Sequence, residues 1–347
     1  MVNAKQKLKT LSVIGAGYWG QNIVRNFYEI GVLHTICDVN EELLLRYKSQ
    51  YPDINITTNI QDIFNNPLIT QVAIATPTPT HYAIAKQVIL SGKDVYVEKP
   101  LCLDFLEGEE LVRLAEEKGS ILMVGHILQY HPSILKLQEM VKSGELGIIH
   151  YIAASRLNLG KIKIKENAIW DLATHDVSIM LSLLNDRMPL HVRCTGGDYF
   201  TDGGGDIALM VMEFPDNVQA HIHVSWLNPI KEQKLTVIGS MGIAVFDDTR
   251  PWNEKLTFYR NHIVFDEDNI PQENPQKGEY IGEIVGNPLK SECIHFLQCS
   301  KNRTTPKTGG RESLRVLGVL QAAQESFNEN GQIKDPFLIQ QSLLVGT

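Results

Sequence analysis

Cysteine is scarce and poorly placed for cross-linking. The 347 residues contain five, at positions 37, 102, 194, 293 and 299, an odd count with no C-x-x-C pair. Neither a disulfide framework nor a paired-cysteine metal site is indicated, and a reduced, cytoplasmic chain is expected. Long apolar runs are missing too. Although 43% of the residues are hydrophobic, no run approaches the roughly 20 residues needed to span a bilayer. Lys5, Lys7 and Lys9 precede a short apolar stretch in the manner of a signal peptide, but that stretch ends in a glycine turn and reads as a strand. There is no basic excess: the formal charge is −8, which disfavours nucleic acid as a partner. No internal repeat or low-complexity tract is present. What remains is enough chain for two domains with sizeable cores.

The most informative segment is Gly15-Ala16-Gly17-Tyr18-Trp19-Gly20 in its setting. The strand-like run Leu11–Ile14 leads into it, and Gln21–Ile30 follows with Ile23, Val24, Phe27 and Ile30 on one helical face. Gly31 stands at the helix C-cap. Val32–Cys37 is the next strand and ends at Asp38. This is the order of a dinucleotide-binding βαβ unit. Gly15 permits the sharp turn, Gly17 lets backbone approach a pyrophosphate, and Gly20 lets helix pack close to strand. The helix start attracts the anion. Asp38 can accept hydrogen bonds from ribose hydroxyls and repels an added 2′-phosphate, and no arginine follows it, so NAD is the expected cofactor. The bland alternative makes Asp38 part of a solvated turn.

Strand and helix alternate up to residue 124. Strands are expected at Leu11–Ile14, Val32–Cys37, Ile54–Thr57, Val72–Thr76, Val95–Glu98 and Ile121–Val124, and helices include Glu41–Tyr51, His81–Leu90 and Phe105–Lys118. The fold class is therefore α/β followed by α+β: a Rossmann-type, doubly wound parallel sheet in residues 1–124, then a domain over 125–347 built on a large, mainly antiparallel sheet. In that second part the pattern gives helices at Pro132–Lys142 and Ile169–Leu184, a strand from Ile148 toward Leu159, and strand-like runs at 191–195, 206–214, 218–226, 234–238, 243–247 and 256–260. Asp266–Asn287 reads as a loop or flap, and helices at Pro288–Cys299 and Arg311–Asn328 close the chain.

In a parallel sheet, ligands bind beyond the carboxyl ends of the strands. Three motifs deserve weighing on that basis. Ala75-Thr76-Pro77, followed by Thr80-His81, is a stiffened loop that can wall the cofactor, or a plain strand-to-helix turn. Glu98-Lys99-Pro100 places a lysine where it can bond a substrate oxygen, in a loop that Pro100 can fix through a cis peptide bond, or is a surface lysine in a turn. Trp170-Asp171-Leu172-Ala173-Thr174-His175 sets a carboxylate and an imidazole four residues apart on one helix face. Histidine is the side chain best suited to moving protons near neutrality, although such a pair is also common on ordinary surfaces.

With these motifs in this order, the chain resembles the glucose–fructose oxidoreductase/inositol dehydrogenase (Gfo/Idh/MocA) family of NAD(P)-dependent sugar and polyol oxidoreductases, from about Leu11 to Asn330. The resemblance implies catalytic roles for Lys99, Asp171 and His175, with Lys99 and His175 beside the nicotinamide and Asp171 on the substrate. It implies that Gly15, Gly17, Tyr18, Trp19, Gly20, Asp38, Thr76, Pro77, His81, Glu98 and Lys99 surround NAD. It also implies a homodimer or homotetramer formed through the C-terminal sheet. A finer resemblance, carried by Arg156-Leu157-Asn158-Leu159-Gly160 and the Trp170 motif, is to members that oxidise the 3-hydroxyl of a UDP-N-acetylhexosamine.

Arg156 and Asn158 share a strand face and suit a phosphate and a sugar hydroxyl or amide. Tyr130, Trp170, Asp171 and His175 complete the expected substrate contacts. Lys161, Lys163 and Lys165 attract a diphosphate or guard an edge strand. Thr174 stands where the family pattern has proline, a departure that bears on local helix geometry. His221-x-His223 lacks a third ligand, so no metal is expected. The expected partner is a small sugar or nucleotide sugar. A dehydrogenase of inositol or of a free sugar, and more distantly an NAD-holding redox sensor, are the alternatives.

Overall fold

The computed structural model describes residues 9–160, 167–200, 205–260, 263–268, 270–273, 277–282 and 285–336. Lys161, Lys163 and Lys165 lie outside the described residues. By packing, the chain divides into two units: residues up to Ile127 with Pro288–Leu317, and Leu128–Asn287 with the residues from Gly318 onward.

The first unit alternates β1 (Leu11–Ile14), α1 (Gly20–Ile30), β2 (Leu33–Cys37), α2 (Glu41–Gln50), β3 (Asn55–Thr57), α3 (Gln61–Phe64), β4 (Gln71–Ile74), α4 (His81–Leu90), β5 (Asp94–Glu98), α5 (Phe105–Lys118) and β6 (Leu122–Gly125). All pairings are parallel, in the order β3-β2-β1-β4-β5-β6. The order reverses between β1 and β4, which opens a ligand crevice beyond their carboxyl ends. Strands β1, β5 and β6 are buried along their whole length, as expected of a sheet covered on both faces. Helix α1 turns Ile23, Val24 and Phe27 inward and ends at Gly31, whose φ of 85° is left-handed. The Asn40 side chain caps α2 by accepting from the Leu43 N–H at 3.0 Å, a contact worth about 1 kcal/mol.

The second unit holds α6 (Pro132–Lys142), β7 (Ile149–Leu159), α7 (Thr174–Leu183), β8 (His191–Gly197), β9 (Ile207–Phe214), β10 (Val218–Ser225), β11 (Leu227–Gly239), β12 (Gly242–Asp247), β13 (Leu256–Arg260), a short pair β14 (Ile263–Phe265) and β15 (Pro271–Glu273), and β16 (Glu279–Tyr280). Eight of these strands form one sheet in the order β16-β13-β12-β11-β7-β10-β9-β8. It is antiparallel except for β7 with β10, which run parallel. Two helices close the described chain, α8 (Pro288–Asn302) and α9 (Gly310–Asn328).

Four differences from expectation have physical causes. Asp266–Asn287 is not a plain loop: β15 and β16 are strands of two or three residues, too short to show alternation. Strand β11 begins at Leu227, well before the expected residue 234, because a register shift between Leu227 and Glu232 absorbs Asn228, Pro229 and the charged residues after it. The expected helix Ile169–Leu184 opens with a π-helical turn over Ile169–Ala173. Finally, Pro288–Leu317, expected with the second domain, pack with the first unit. There α8 lies on α1, and Arg303 and Ser300 reach Asp94 of β5 at 2.7 and 2.5 Å.

Candidate active site

In the first unit the glycine turn follows β1. Gly15 has φ +87°, and a Cβ there would stand 2.7 Å from backbone atoms of Ala75 and Thr76. A Cβ on Gly20 would fall 2.2 Å from the Gly15 carbonyl oxygen. Around Gly17, by contrast, a Cβ would meet nothing within 4 Å. Two glycines thus close-pack the turn while the middle one leaves backbone open to a ligand, as a pyrophosphate cradle requires. Asp38, at the end of β2, accepts from the Ala16 N–H at 2.8 Å and from the Asn40 N–H at 2.9 Å. Its carboxylate therefore braces the turn it was expected to complement.

Trp19 and Tyr18 are 40% and 79% exposed, and the Trp19 indole lies close enough to the Glu98 carboxylate to favour its charged form. Glu98, at the end of β5, is buried. Lys99 is half-buried between buried Glu98 and buried Pro100, and the Lys99–Pro100 bond is cis. His81, expected against the cofactor, is buried, and its ring bridges the carbonyls of Thr76 (2.8 Å) and Pro100 (2.9 Å). It ties the A-T-P loop to the E-K-P loop and acts on the site through them. Thr76 and Thr80 share a hydroxyl contact of 2.7 Å, and Pro77 is exposed.

In the second unit, every residue from Asn167 to Leu181 is buried except Asp171 and His175. The π turn shapes this segment. The Thr174 hydroxyl donates back to the Trp170 carbonyl at 2.5 Å, a bond the expected proline could not make. Trp170 is buried, with its backbone N–H on Asn167 (3.0 Å) and its indole on Gln324 (3.2 Å). These contacts anchor the turn. The Asp171 carboxylate accepts from the Trp226 indole at 3.2 Å. Trp226, just after β10, is a partner of this candidate residue that the sequence pattern did not single out, since a tryptophan closing an apolar strand looks like ordinary core.

Arg156, expected on the substrate, has a partner within the protein: its guanidinium grips Asp176 with two bonds of 2.9 Å, and both residues are buried. Burial pulls the Arg156 pKa down, but the Asp176 charge and its hydrogen bonds outweigh this and hold it above the ordinary value. The pair fastens the residue next to His175 to strand β7. Arg156→Met should leave Asp176 buried and unpaired, at a cost of about 3–5 kcal/mol in chemical denaturation; a loss below 1 kcal/mol would show that the pair does not fasten the helix. Asn158 is half-buried on the same strand, and its Oδ1 has no hydrogen-bond partner among the described residues. Tyr130 is buried.

All five cysteines are buried free thiols. Among the described residues there is no cluster of three or more metal-ligating side chains, and Nδ1 of His221 pairs with the Tyr151 hydroxyl at 2.8 Å. No helix among them is long and apolar enough to cross a membrane.

Residues 9–126 match a family model described as an oxidoreductase family with an NAD-binding Rossmann fold, and residues 134–245 match the Gfo/Idh/MocA C-terminal domain. The chain belongs to the Gfo/Idh/MocA oxidoreductase family. Its cofactor is NAD, bound by the first unit. The UDP-N-acetylglucosamine 3-dehydrogenase of Acidithiobacillus ferrooxidans is 29% identical over 219 residues, which span 61% of this chain and 66% of that enzyme. The solved structure of that enzyme, GnnA, superposes with a TM-score of 0.80 at 23% identity over 92% of this chain and 98% of the other. GenD2 from gentamicin A biosynthesis, solved in complex with NAD, gives a TM-score of 0.78 at 21% identity over 94% and 95% of the two chains. Myo-inositol 2-dehydrogenase of Thermotoga maritima is 21% identical over 93% of this chain and 98% of that enzyme.

Proposed function

We propose that this sugar or polyol oxidoreductase oxidises a secondary hydroxyl of a nucleotide sugar, the 3-hydroxyl of a UDP-N-acetylhexosamine, with NAD as hydride acceptor. The observation that carries the reading is the emergence of Asp171 and His175, alone, from an otherwise buried turn. Core packing has no use for two polar side chains four residues apart, whereas a reaction that moves a proton does.

Bound NAD supplies the electrophilic ring that takes the hydride. The protein supplies the rest. His175 accepts the hydroxyl proton. Lys99 donates a hydrogen bond to the same oxygen as negative charge develops on it. Asp171, steadied by Trp226, holds a neighbouring hydroxyl. Asp176 and Arg156 keep the helix under His175 in register. Assembly through the C-terminal sheet as a dimer or tetramer belongs to the same reading.

The nucleotide-sugar substrate is supported by the likeness to the Acidithiobacillus ferrooxidans enzyme. Inositol is the second reading, supported by the Thermotoga maritima relative that matches nearly end to end. Side-by-side turnover of UDP-N-acetylglucosamine and myo-inositol with NAD separates the two. Faster turnover of the nucleotide sugar is expected. Preference for inositol overturns the first reading, and NAD binding without turnover of any sugar overturns both.

Asp38 gives a separate test. Because its carboxylate braces Ala16 and is read here as the acceptor for the ribose hydroxyls, Asp38→Ala should weaken NAD on the order of tenfold and narrow the gap between NAD and NADP. Fluorescence titration with both coenzymes measures this. An unchanged ratio would remove Asp38 from the discrimination.

A further inference from the structure

Tyr96, Glu98 and Glu292 form a closed polar cluster inside the first unit. Glu98 ends β5, Tyr96 lies two residues earlier on the same face of that strand, and Glu292 comes from α8. Tyr96 and Glu292 are 0% exposed and Glu98 is 8% exposed. The Tyr96 hydroxyl oxygen lies 3.0 Å from Oε1 of Glu98 and 3.1 Å from Oε2 of Glu292. Gly125 of β6 closes the nest, since a Cβ there would stand 2.6 Å from the Tyr96 hydroxyl and 3.0 Å from Oε2 of Glu98.

Proton counting constrains this cluster. A phenol carries one hydrogen and can donate to one carboxylate only. Were both glutamates ionised, the second contact would set lone pair against lone pair and hold two negative charges in one buried nest, which is strongly unfavourable. One glutamate must therefore carry a proton and donate it to the phenol oxygen. The surroundings decide which. Glu98 has the Trp19 indole and the Lys99 charge nearby, and both favour its ionised form. Glu292 has neither, and its Oε1 has no hydrogen-bond partner among the described residues. A bare oxygen deep in protein is far less costly on a neutral acid than on a carboxylate.

We propose that Glu292 is a carboxylic acid at neutral pH that donates to Tyr96, so that Tyr96 in turn donates to ionised Glu98, and that Glu292 is thereby a positioning residue for the Trp19–Glu98–Lys99 segment. The electrostatics run the same way. Burial, then the Glu98 charge, pushes Glu292 well above the usual carboxylate range. Burial raises Glu98 too, but less far, because the Trp19 indole, the Tyr96 hydroxyl and the Lys99 charge oppose it. The other titratable groups facing the nest, Tyr96 and Cys293, are pushed upward, chiefly by burial, and stay neutral. The protonation claim stands without the proposed substrate; the consequence for Lys99 rests on the functional reading above.

Infrared difference spectra of the full-length protein at neutral pH, with ¹³C-labelled glutamate, test the proton directly. The carbonyl band of a protonated glutamic acid should be present in the wild type and lost in Glu292→Gln. Its absence from the wild type, or its survival in that variant, overturns the proposal. Glutamine copies the neutral acid, so Glu292→Gln should leave the Trp19 indole N–H resonance, identified by its loss in Trp19→Phe, where it was, while Glu98→Gln moves it. The opposite pattern places the proton on Glu98 and refutes the assignment.

In turnover, Glu292→Leu should lower kcat about tenfold and displace its pH profile, and Glu292→Gln should restore most of both. Equal losses in the two variants refute the positioning role. If no sugar is turned over, the functional reading has failed while the infrared result still decides where the proton lies.

Discussion

Replacing Lys99 with methionine lowers kcat by a factor on the order of 10² to 10⁴ and leaves NAD affinity within a few-fold of the wild type. This is the expected result because methionine keeps the length and packing of the lysine stem and removes only the charged donor. Lys99 sits between two buried residues, its backbone held through the contact of His81 with Pro100. The substitution therefore leaves the loop in place, and what is lost is stabilisation of charge on the substrate oxygen. Steady-state rates combined with a separate NAD titration distinguish this from a folding defect. Near-normal turnover would remove the lysine from the mechanism.

His175→Ala should have an effect of comparable size at neutral pH and a different signature. The acidic limb of the wild-type rate profile, set by protonation of the base, should disappear, and activity should rise with pH as hydroxide replaces the missing acceptor. Added imidazole should recover part of the rate. Thermal stability should change little, because His175 is one of only two residues in the 167–181 segment that are not buried. A variant that keeps the wild-type profile would mean that another group takes the proton.

The first unit was readable because its information is local. Each of its strands lies within a residue or two of the range that alternation and turn chemistry predict, and helices such as His81–Leu90 and Phe105–Lys118 have the expected bounds. Gly15 and Gly20 announce themselves because only glycine tolerates their contacts. The misreadings share a different cause. That Arg156 grips Asp176, that Trp226 bonds Asp171 and that Glu292 meets Tyr96 depend on pairings across 20, 55 and 196 positions of chain, and no local period encodes them. Arg156 is ambiguous for a further reason: an arginine that neutralises a buried aspartate and one that binds a phosphate look the same in sequence, since both need the same planar fork. The π turn over Ile169–Ala173 was legible only as an odd threonine, Thr174, whose hydroxyl bonds the Trp170 carbonyl one turn back.

The return of Pro288–Leu317 to the first unit bears on how the polypeptide is made. During translation the parallel sheet emerges first, yet Asp94 and Tyr96 of its fifth strand wait for Ser300, Arg303 and Glu292, which leave the ribosome only after the whole eight-stranded sheet. The nucleotide-binding half therefore cannot finish folding ahead of the other, as N-terminal domains ordinarily do. A gene fragment stopped after Ile127 should give an aggregation-prone product, whereas one that splices residues 288–317 behind it through a short linker has the missing wall and is the rational minimal coenzyme-binding module.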